Sequence, residues 1–240
     1  MLFNLNRGVF TEKSYQYPGE SEFVRSGAEY MFALKTSSAS GSVFRLLKSI
    51  PQADICLVAA GKPGDSGSTY KGGAGGEIIT VTDVLLPAGD YAVIVGENGQ
   101  NTSIVAPDGR IWTARSGYGS AGGDGATKDG SPGALAWNDQ NTLLYAGWLF
   151  GAGGGRGYRL ANTYAEYEAG SAGSVGTASS STTIGHGGTT GHYTGYAGLA
   201  NAGQGGGGGA RVYNGSYYDD YDGGAGGSGV ILIRKHKEVT

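Results

Sequence analysis

The first 115 residues alternate short apolar runs with turn residues. Each run is rich in β-branched or aromatic residues and is bounded by Gly, Pro, Asn or Asp, which is typical of strands joined by tight turns. No window repeats apolar residues at helical spacing with helix caps, so helices are not predicted. The predicted strands are Arg7–Tyr15, Glu22–Val24, Tyr30–Lys35, Ser42–Leu47, Asp54–Ala59, Glu77–Val84, Asp90–Val95, Thr102–Val105 and Arg110–Ala114.

From residue 116 onward the pattern changes to glycine tracts, and 34 of the last 125 residues are glycine. Glycine has no side chain to fill a core, and it loses more backbone entropy on ordering than any other residue. An extended helix with three residues per turn, like polyproline II, has no internal hydrogen bonds. Neighbouring glycine strands of this kind approach closely and bond to one another, which satisfies their backbone groups. Residues 116–229 are therefore predicted as a glycine-rich loop region with extended, polyglycine II-like segments.

The most apolar strand of the chain follows the last glycine tract, at Val230–Ile233. A buried strand at this point indicates that the chain returns to pair with the first sheet. The predicted organisation is a β-rich domain at 1–115, the glycine-rich region at 116–229 and a returning terminal strand within 230–240. The fold class is all-β, with an N-terminal β-sandwich-like sheet that the C-terminal strand joins.

Eleven of the sixteen tyrosines lie in the glycine-rich part, next to Ser, Gly and Asn. This is the composition of evolved recognition loops, because tyrosine offers rigid amphipathic area at low entropic cost. The alternative is that these rings pack sideways onto the glycine strands and cover bare backbone. The candidate receptor-binding residues are Tyr164, Tyr167, His192, Tyr193, Tyr196, Tyr213, Tyr217, Tyr218, Asp219 and Tyr221.

The charge and composition exclude several classes of function. A net charge of −3 gives no electrostatic drive toward nucleic acid or anionic membranes. No stretch approaches the ~20 apolar residues of a membrane-spanning helix, so membrane insertion is not expected. The first seven residues lack the apolar core of a secretion signal, which favours synthesis in the cytoplasm. Cys56 has no partner for a disulfide and is expected to be a small buried hydrophobic residue.

No motif predicts a cofactor or a catalytic centre. Gly117–Gly122 has the spacing of a dinucleotide-binding fingerprint, but turn residues follow it where that motif requires a helix. Gly61-Lys62 is followed by Pro63, so a phosphate-binding loop is absent. Ala172–Gly176 resembles a hydrolase nucleophile elbow without the strand and helix that hold it. The chain is therefore predicted to be non-enzymatic.

Metal sites are not predicted either. Histidines 186 and 192 lie six positions apart in a loop without the ligands that complete a zinc site, and surface histidines are expected. A metal shared by three copies on a trimer axis is the alternative. The acidic cluster lacks the oxygen spacing of a calcium loop, and adjacent strand residues point to opposite faces. The cluster is expected to contact carbohydrate or protein, or to form a solvated turn; its members are Asp219, Asp220 and Asp222.

Four segments in order carry a family resemblance. An apolar strand at Ala53–Ala60 enters a glycine loop, and Gly75–Val81 follows it. Leu86–Gly96 contains a Pro-Ala-Gly-Asp-Tyr turn that opens a strand ending in Val-Gly, and Gly226–Arg234 reads Gly-Gly-Ser-Gly-Val-Ile-Leu-Ile-Arg. This order resembles the glycine-rich domain of tailed-phage tail proteins and is similar to the glycine-rich adhesins at tail-fibre tips. The resemblance spans about Val9 to Lys235.

The resemblance implies a virion component, made in the host bacterial cytoplasm, that binds the host surface through loops between glycine segments. Its expected partners are other virion tail or fibre proteins and a host surface polysaccharide or outer surface protein. A homo-oligomer and a single copy capping a trimer are both compatible with it. The alternatives are a purely structural tail or baseplate part, and a glycan-degrading tail enzyme, which the lack of a carboxylate constellation disfavours.

Overall fold

The computed structural model describes residues 11–124, 126–137, 143–161, 164–176 and 184–235. The predicted all-β architecture is confirmed, because the one helical element among these residues is a 3-10 turn at Glu12–Ser14. The strands are β1 (Tyr15–Gln16), β2 (Ser21–Ser26), β3 (Glu29–Leu34), β4 (Ser42–Leu46), β5 (Ile50–Val58), β6 (Ile78–Leu86), β7 (Gly89–Ile94), β8 (Thr102–Val105), β9 (Ile111–Ala114), β10 (Ala134–Leu135), β11 (Leu149–Phe150), β12 (Arg159–Ala161), β13 (Tyr164–Tyr167), β14 (Arg211–Tyr213), β15 (Tyr218–Asp220) and β16 (Val230–Lys235).

Two five-stranded antiparallel sheets face each other across one apolar core. The first sheet has the order β1-β4-β7-β8-β9, and the second has the order β2-β3-β16-β5-β6. Side chains alternate as a half-buried sheet requires: in β7, Tyr91 and Val93 are buried while Asp90 and Ile94 face outward. Phe32 of the second sheet packs on Phe44 of the first, with ring centroids 5.3 Å apart. These contacts form the sandwich that the sequence predicts.

The terminal strand β16 lies at the centre of the second sheet, between β3 and β5. Ile231 and Ile233 point into the sandwich core, whereas Leu232 points to the opposite side of the sheet. Burial on both faces explains why this strand is an unbroken apolar run. Arg234 is buried and forms an ion pair with Asp54 of β5, with Nη2 and Oδ2 3.0 Å apart. The predicted return of the chain to the first domain is confirmed.

Residues of the glycine-rich region cover the outer side of the second sheet. Trp137, Trp148 and Phe150 form a second apolar cluster over β3, β5 and β16. The Arg234 guanidinium lies 4.0 Å from the Trp137 ring centroid. Cys56 is buried in the same cluster, as expected, and burial raises the pKa of its thiol to about 12. The region predicted as loops thus also supplies core side chains, because its apolar residues lie where the glycine tracts are interrupted.

The glycine tracts bond to one another through their backbones at intervals of three residues. For one pair of antiparallel segments the bonds run from Gly61 N to Gly227 O, from Gly64 N to Gly224 O and from Gly67 N to Tyr221 O. Three residues is also the period of the extended helix that the sequence predicts for such tracts. This period supports the polyglycine II conformation, which stays a prediction.

The segment 203–210 is the buried centre of this arrangement, which we call the glycine lattice. A Cβ at Gly207 would collide with the His186 carbonyl, and one at Gly205 would collide with the Gly73 carbonyl. Glycine is therefore required here by the close approach of neighbouring backbones. The central segment exchanges backbone hydrogen bonds with residues 62–65, 73–76, 152–155, 193–196 and 221–228.

One predicted strand is largely wrong, and several strands were not predicted. The strand at Arg7–Tyr15 is replaced by the 3-10 turn, with residues 7–10 outside the described part of the chain. Ser14 N donates to the Thr11 carbonyl and Thr11 N donates to Ser14 Oγ, so local bonds compete with strand pairing. The other eight predicted strands are present: Thr102–Val105 has the predicted bounds, and the ends of the other seven differ by up to four residues. Strands β10 to β15, within the glycine-rich region, were not predicted.

Candidate functional site

Four short strands at one end of the glycine lattice form a sheet of their own, in the order β13-β12-β14-β15. We call it the tyrosine sheet. Its strands continue glycine tracts: β12 follows the tract ending at Gly157, and β14 follows the central segment 203–210. Strand β15 is followed, after Tyr221 and Asp222, by the tract 223–227. The sheet therefore begins where the glycine tracts end and residues with side chains follow.

Five of the ten predicted site residues lie in strands of this sheet rather than in the loops that the sequence predicts. They are Tyr164 and Tyr167 in β13, Tyr213 in β14, and Tyr218 and Asp219 in β15. Tyr217, in the turn between β14 and β15, is 63% exposed. The loop prediction is wrong for these strands because cross-strand pairing orders residues that are far apart in sequence. Tyr164 lies opposite Ala161 in the register.

One face of the tyrosine sheet combines arginines with tyrosines. Residues directly opposite each other on neighbouring strands project to the same side. Arg159 of β12 lies opposite both Tyr167 and Arg211, and Arg211 lies opposite Asp220. Tyr213 and Tyr218 are also opposite each other, and alternation places them on this side. We call it the arginine–tyrosine face; its members are Arg159, Tyr167, Arg211, Tyr213, Tyr218 and Asp220.

Guanidinium groups lie against the tyrosine rings of this face. The Arg211 guanidinium is 4.5 Å from the Tyr218 ring centroid, and Tyr218 pairs with Tyr213 at 5.2 Å. At the other end of the sheet, Tyr70 stacks on Tyr167 with centroids 5.1 Å apart and an interplanar angle of 23°. Arg159 is 5.7 Å from the Tyr70 ring centroid. Cation–π attraction and ring packing hold these side chains in place.

Arg156 adds a third guanidinium beside the same rings. Its guanidinium carbon lies 4.9 Å from the Tyr167 ring centroid. Nε donates to the carbonyl of Glu168, and Nη1 donates to the carbonyl of Asp124. Arg156 thus links β13 and the loop at Asp124 to the glycine tract that carries it.

The remaining predicted residues gather on the opposite side of the sheet. Tyr193 packs against Tyr221 with ring centroids 4.8 Å apart, and Ala210 N donates to the Tyr193 carbonyl. His192 stacks on Tyr196 at 4.2 Å with an interplanar angle of 13°. The structure therefore divides the predicted site into two clusters, one on each side of a single small sheet.

The two carboxylates beside these rings, Asp219 and Asp220, have different partners. Asp220 Oδ1 is 3.4 Å from Arg211 Nε, whereas Asp219 Oδ2 accepts a bond from Asn214 Nδ2. The Asn214 Oδ1 atom accepts from the backbone N–H of Tyr217 and so shapes the turn between β14 and β15. Asp219 and Asp220 are adjacent in β15, so their side chains project to opposite faces of the sheet.

Four contacting residues were not predicted. Each adjoins a glycine tract: Arg156 interrupts one, Arg211 follows the central one, and Tyr70 lies two positions before Gly72. Clusters of tyrosines in the second half of the chain indicate only some of the contacting residues, because a lone tyrosine or arginine belongs to no cluster. An aromatic or arginine residue at the end of a glycine tract is the signal that finds all four; the fourth is Arg159.

The histidines do not form a metal site in the described part of the chain. His186 is buried in the lattice, with Nδ1 2.6 Å from the Gly187 carbonyl oxygen, so its predicted surface position is wrong. Its ring meets the Tyr196 ring edge-on at 6.3 Å. His192 is exposed, and His236 lies outside the described residues. Among the residues described, no three His, Cys, Asp or Glu side chains come together in a way that would hold a metal ion.

The described part of the chain also contains no helix with the length and apolar character needed to cross a membrane. Comparison of the chain with protein-family models and with curated proteins gives no match. The function is therefore argued from the site itself.

Proposed function

We propose that this protein is a non-enzymatic tail or baseplate component of a tailed phage and that it recognises the host cell surface through the tyrosine sheet and residues 192–196 beside it. The observation that carries the proposal is the gathering of tyrosines from distant parts of the chain at one end of the glycine lattice. Tyr70, Tyr167, Tyr193 and Tyr218 lie in four separate segments, and each is paired with another tyrosine ring.

Paired rings are suited to binding because they are ordered before a ligand arrives. A tyrosine held by a neighbouring ring has lost its rotamer freedom on folding, so binding costs little further entropy. The exposed ring of Tyr217 and the half-buried rings around it offer apolar area with hydroxyl groups at the edge. This combination fits the sugars and protein side chains of a bacterial surface.

A second candidate function, a structural part of the tail, is favoured by a different surface. Val43, Ala92, Val105 and Ile111 lie in one register row across the outer face of the first sheet. Ile111 is 65% exposed and Val43 is 49% exposed. Exposed apolar patches mark interaction sites. In our proposal this face contacts other tail or fibre proteins in the virion, as part of a homo-oligomer or of a single copy that caps a trimer.

The test is competition for phage adsorption. Purified protein is expected to block adsorption to host cells, and a variant with Tyr217, Tyr218 and Tyr221 all changed to Ala is expected to fold without blocking it. Truncated aromatic anchors each weaken an interface by ~2 kcal/mol or more. Tyr118→Ala is the control, because Tyr118 is equally exposed but lies outside the tyrosine sheet.

Three outcomes would contradict the proposal in different ways. A wild-type protein that does not compete supports the purely structural role. A triple variant that loses its folded circular dichroism spectrum assigns those rings to the scaffold. Shortening of envelope polysaccharide during incubation with the protein supports the glycan-degrading alternative.

A further inference from the structure

All three arginines between residues 116 and 229 lie within 6 Å of the centroid of a tyrosine ring in the tyrosine sheet. The one lysine of this stretch, Lys128, forms an ion pair with Glu168, with Nζ and Oε2 3.5 Å apart. The positive side chains of the glycine-rich region are thus concentrated at one place, although the whole chain carries a net charge of −3.

The order of charges across the arginine–tyrosine face favours an anionic ligand. One register row runs from Tyr167 through Arg159 and Arg211 to Asp220, so two guanidinium groups share a row with one carboxylate. Like charges directly opposite each other on neighbouring strands destabilise a sheet. Carboxylate or phosphate oxygens are the ligand groups that suit two guanidinium groups placed on the same side of neighbouring strands.

One aromatic pair lies at the β13 end of this row, and the other lies on β14 and β15, two residues along those strands from Arg211 and Asp220. Tyr70 and Tyr167 form the first pair, and Tyr213 and Tyr218 form the other. Neighbouring strands are spaced by ~4.8 Å, so the four strands present a platform about 14 Å across. A short run of linked sugars can lay its apolar ring faces on the tyrosines and its acidic groups on the guanidinium groups.

A platform of rings that are already paired fits a sugar chain better than a protein. Hot spots of protein interfaces are anchors that enter fully desolvated pockets on the partner. The rings of this face are instead already paired with each other. Arginine supplies a planar fork of donors for carboxylate or phosphate oxygens, and Asp220 supplies an acceptor for hydroxyl groups.

We infer that the arginine–tyrosine face binds an acidic polysaccharide, one whose sugars carry carboxylate or phosphate groups. The inference rests on the proposed function and narrows it, since it assigns the ligand class and selects one side of the tyrosine sheet. It adds Tyr70, Arg159 and Arg211 to the binding residues.

The test uses the full-length protein on an array of purified bacterial envelope polysaccharides, both acidic and neutral, with single-stranded DNA as a further polyanion. We expect binding to the acidic polysaccharides, weakened by added salt. Arg211→Gln and Tyr218→Ala are each expected to weaken binding by about thirtyfold, the effect of removing an interface hot spot.

The chain provides matched controls for both variants. Arg45 lies opposite Asp90 on neighbouring antiparallel strands of the first sheet, just as Arg211 lies opposite Asp220. The Arg115 guanidinium lies 4.0 Å from the Tyr118 ring centroid, which repeats the pairing of Arg211 with Tyr218. Arg45→Gln and Tyr118→Ala therefore remove the same chemistry elsewhere and are expected to leave binding unchanged.

Several results would overturn the inference. Binding confined to neutral polysaccharides, preference for single-stranded DNA, or no binding on the array would each do so, as would equal losses in the control variants. Arg211→Lys keeps the positive charge and alters the side chain less than Arg211→Gln does. Thermal unfolding of this variant, measured beside its binding, shows whether a loss of binding is caused by a loss of folding. Competition for phage adsorption, measured in parallel, tests the proposed function separately: a protein that blocks adsorption without binding any polysaccharide disproves only the acidic ligand.

Discussion

The sandwich and the glycine lattice are ordered by opposite means. In the sandwich, side chains such as Phe32, Phe44 and Tyr91 fill the space between two sheets. In the lattice, backbone packs directly on backbone, and the bonds between segments recur at every third residue. The burial of apolar side chains dominates the stability of the first region, whereas in the second the burial of backbone is compensated by its hydrogen bonds.

The glycine lattice shows that a region can be almost devoid of large side chains and still be ordered. It also reverses the usual rule for substitutions. The sandwich is sensitive to the loss of side-chain volume, because cavities are costly. The lattice is sensitive to the gain of a single methyl group, because no space separates its backbones.

The strongest test of the comparison is removal of the strand that joins the two regions. Deletion of Val230–Arg234 is expected to unfold the protein, with loss of the full ~5–15 kcal/mol of stability typical of a domain. The strand is central in the second sheet and contributes to both apolar clusters. Circular dichroism and thermal unfolding measure the effect. A truncated protein that keeps a cooperative unfolding transition would show that the sandwich folds without β16.

Addition of one methyl group in the lattice is expected to have the next largest effect. Gly207→Ala places a Cβ against the His186 carbonyl, and it should cost about 4 kcal/mol or more, as severe disruptions of packed interiors do. The control is Gly215→Ala, where no atom lies within 4 Å but φ is +97°. That variant isolates backbone strain, which costs ~1–2 kcal/mol. Equal unfolding temperatures for the two variants would contradict close backbone packing as the cause.

Removal of one methyl group from the sandwich is expected to have the smallest effect. Ile233→Val deletes a buried methyl group from the core, and such changes typically cost ~0.5–1.5 kcal/mol. Denaturant unfolding of this variant beside Gly207→Ala compares the two regions directly. A larger cost for the sandwich variant than for the lattice variant would reverse the comparison.

Much of the fold could be predicted because its signals are local. Alternation and turn residues located eight of the nine strands predicted in the first 115 residues. The residues Pro107-Asp108-Gly109 are also typical of a turn, and in the structure Gly109 has φ of +86° and its N–H donates to the Ala106 carbonyl. The strand predicted at Arg7–Tyr15 failed because hydrogen bonds between Thr11 and Ser14 favour a turn.

The structure of the candidate site was less predictable than the fold, because contacts between segments far apart in the sequence hold its side chains in place. The sequence singled out Tyr167 and Tyr218 but assigned them to loops. It passed over Tyr70, which stacks on Tyr167 from almost a hundred residues away. No local pattern reports such a pairing, since it depends on which glycine tracts lie side by side.

The all-β class and the return of Val230–Ile233 to the sandwich could be inferred from the sequence and are confirmed, whereas the extended conformation of the glycine tracts stays a prediction. These properties follow from alternation, from the missing Cβ of glycine and from a run too apolar to stay exposed. The tertiary structure alone decided the neighbours of each tract. That choice places Arg159 beside Arg211, separates Tyr218 from Tyr221 across the sheet, and buries His186. The physical reason is that lateral backbone bonds are identical for every glycine, so only the packing of the whole lattice distinguishes one neighbour from another.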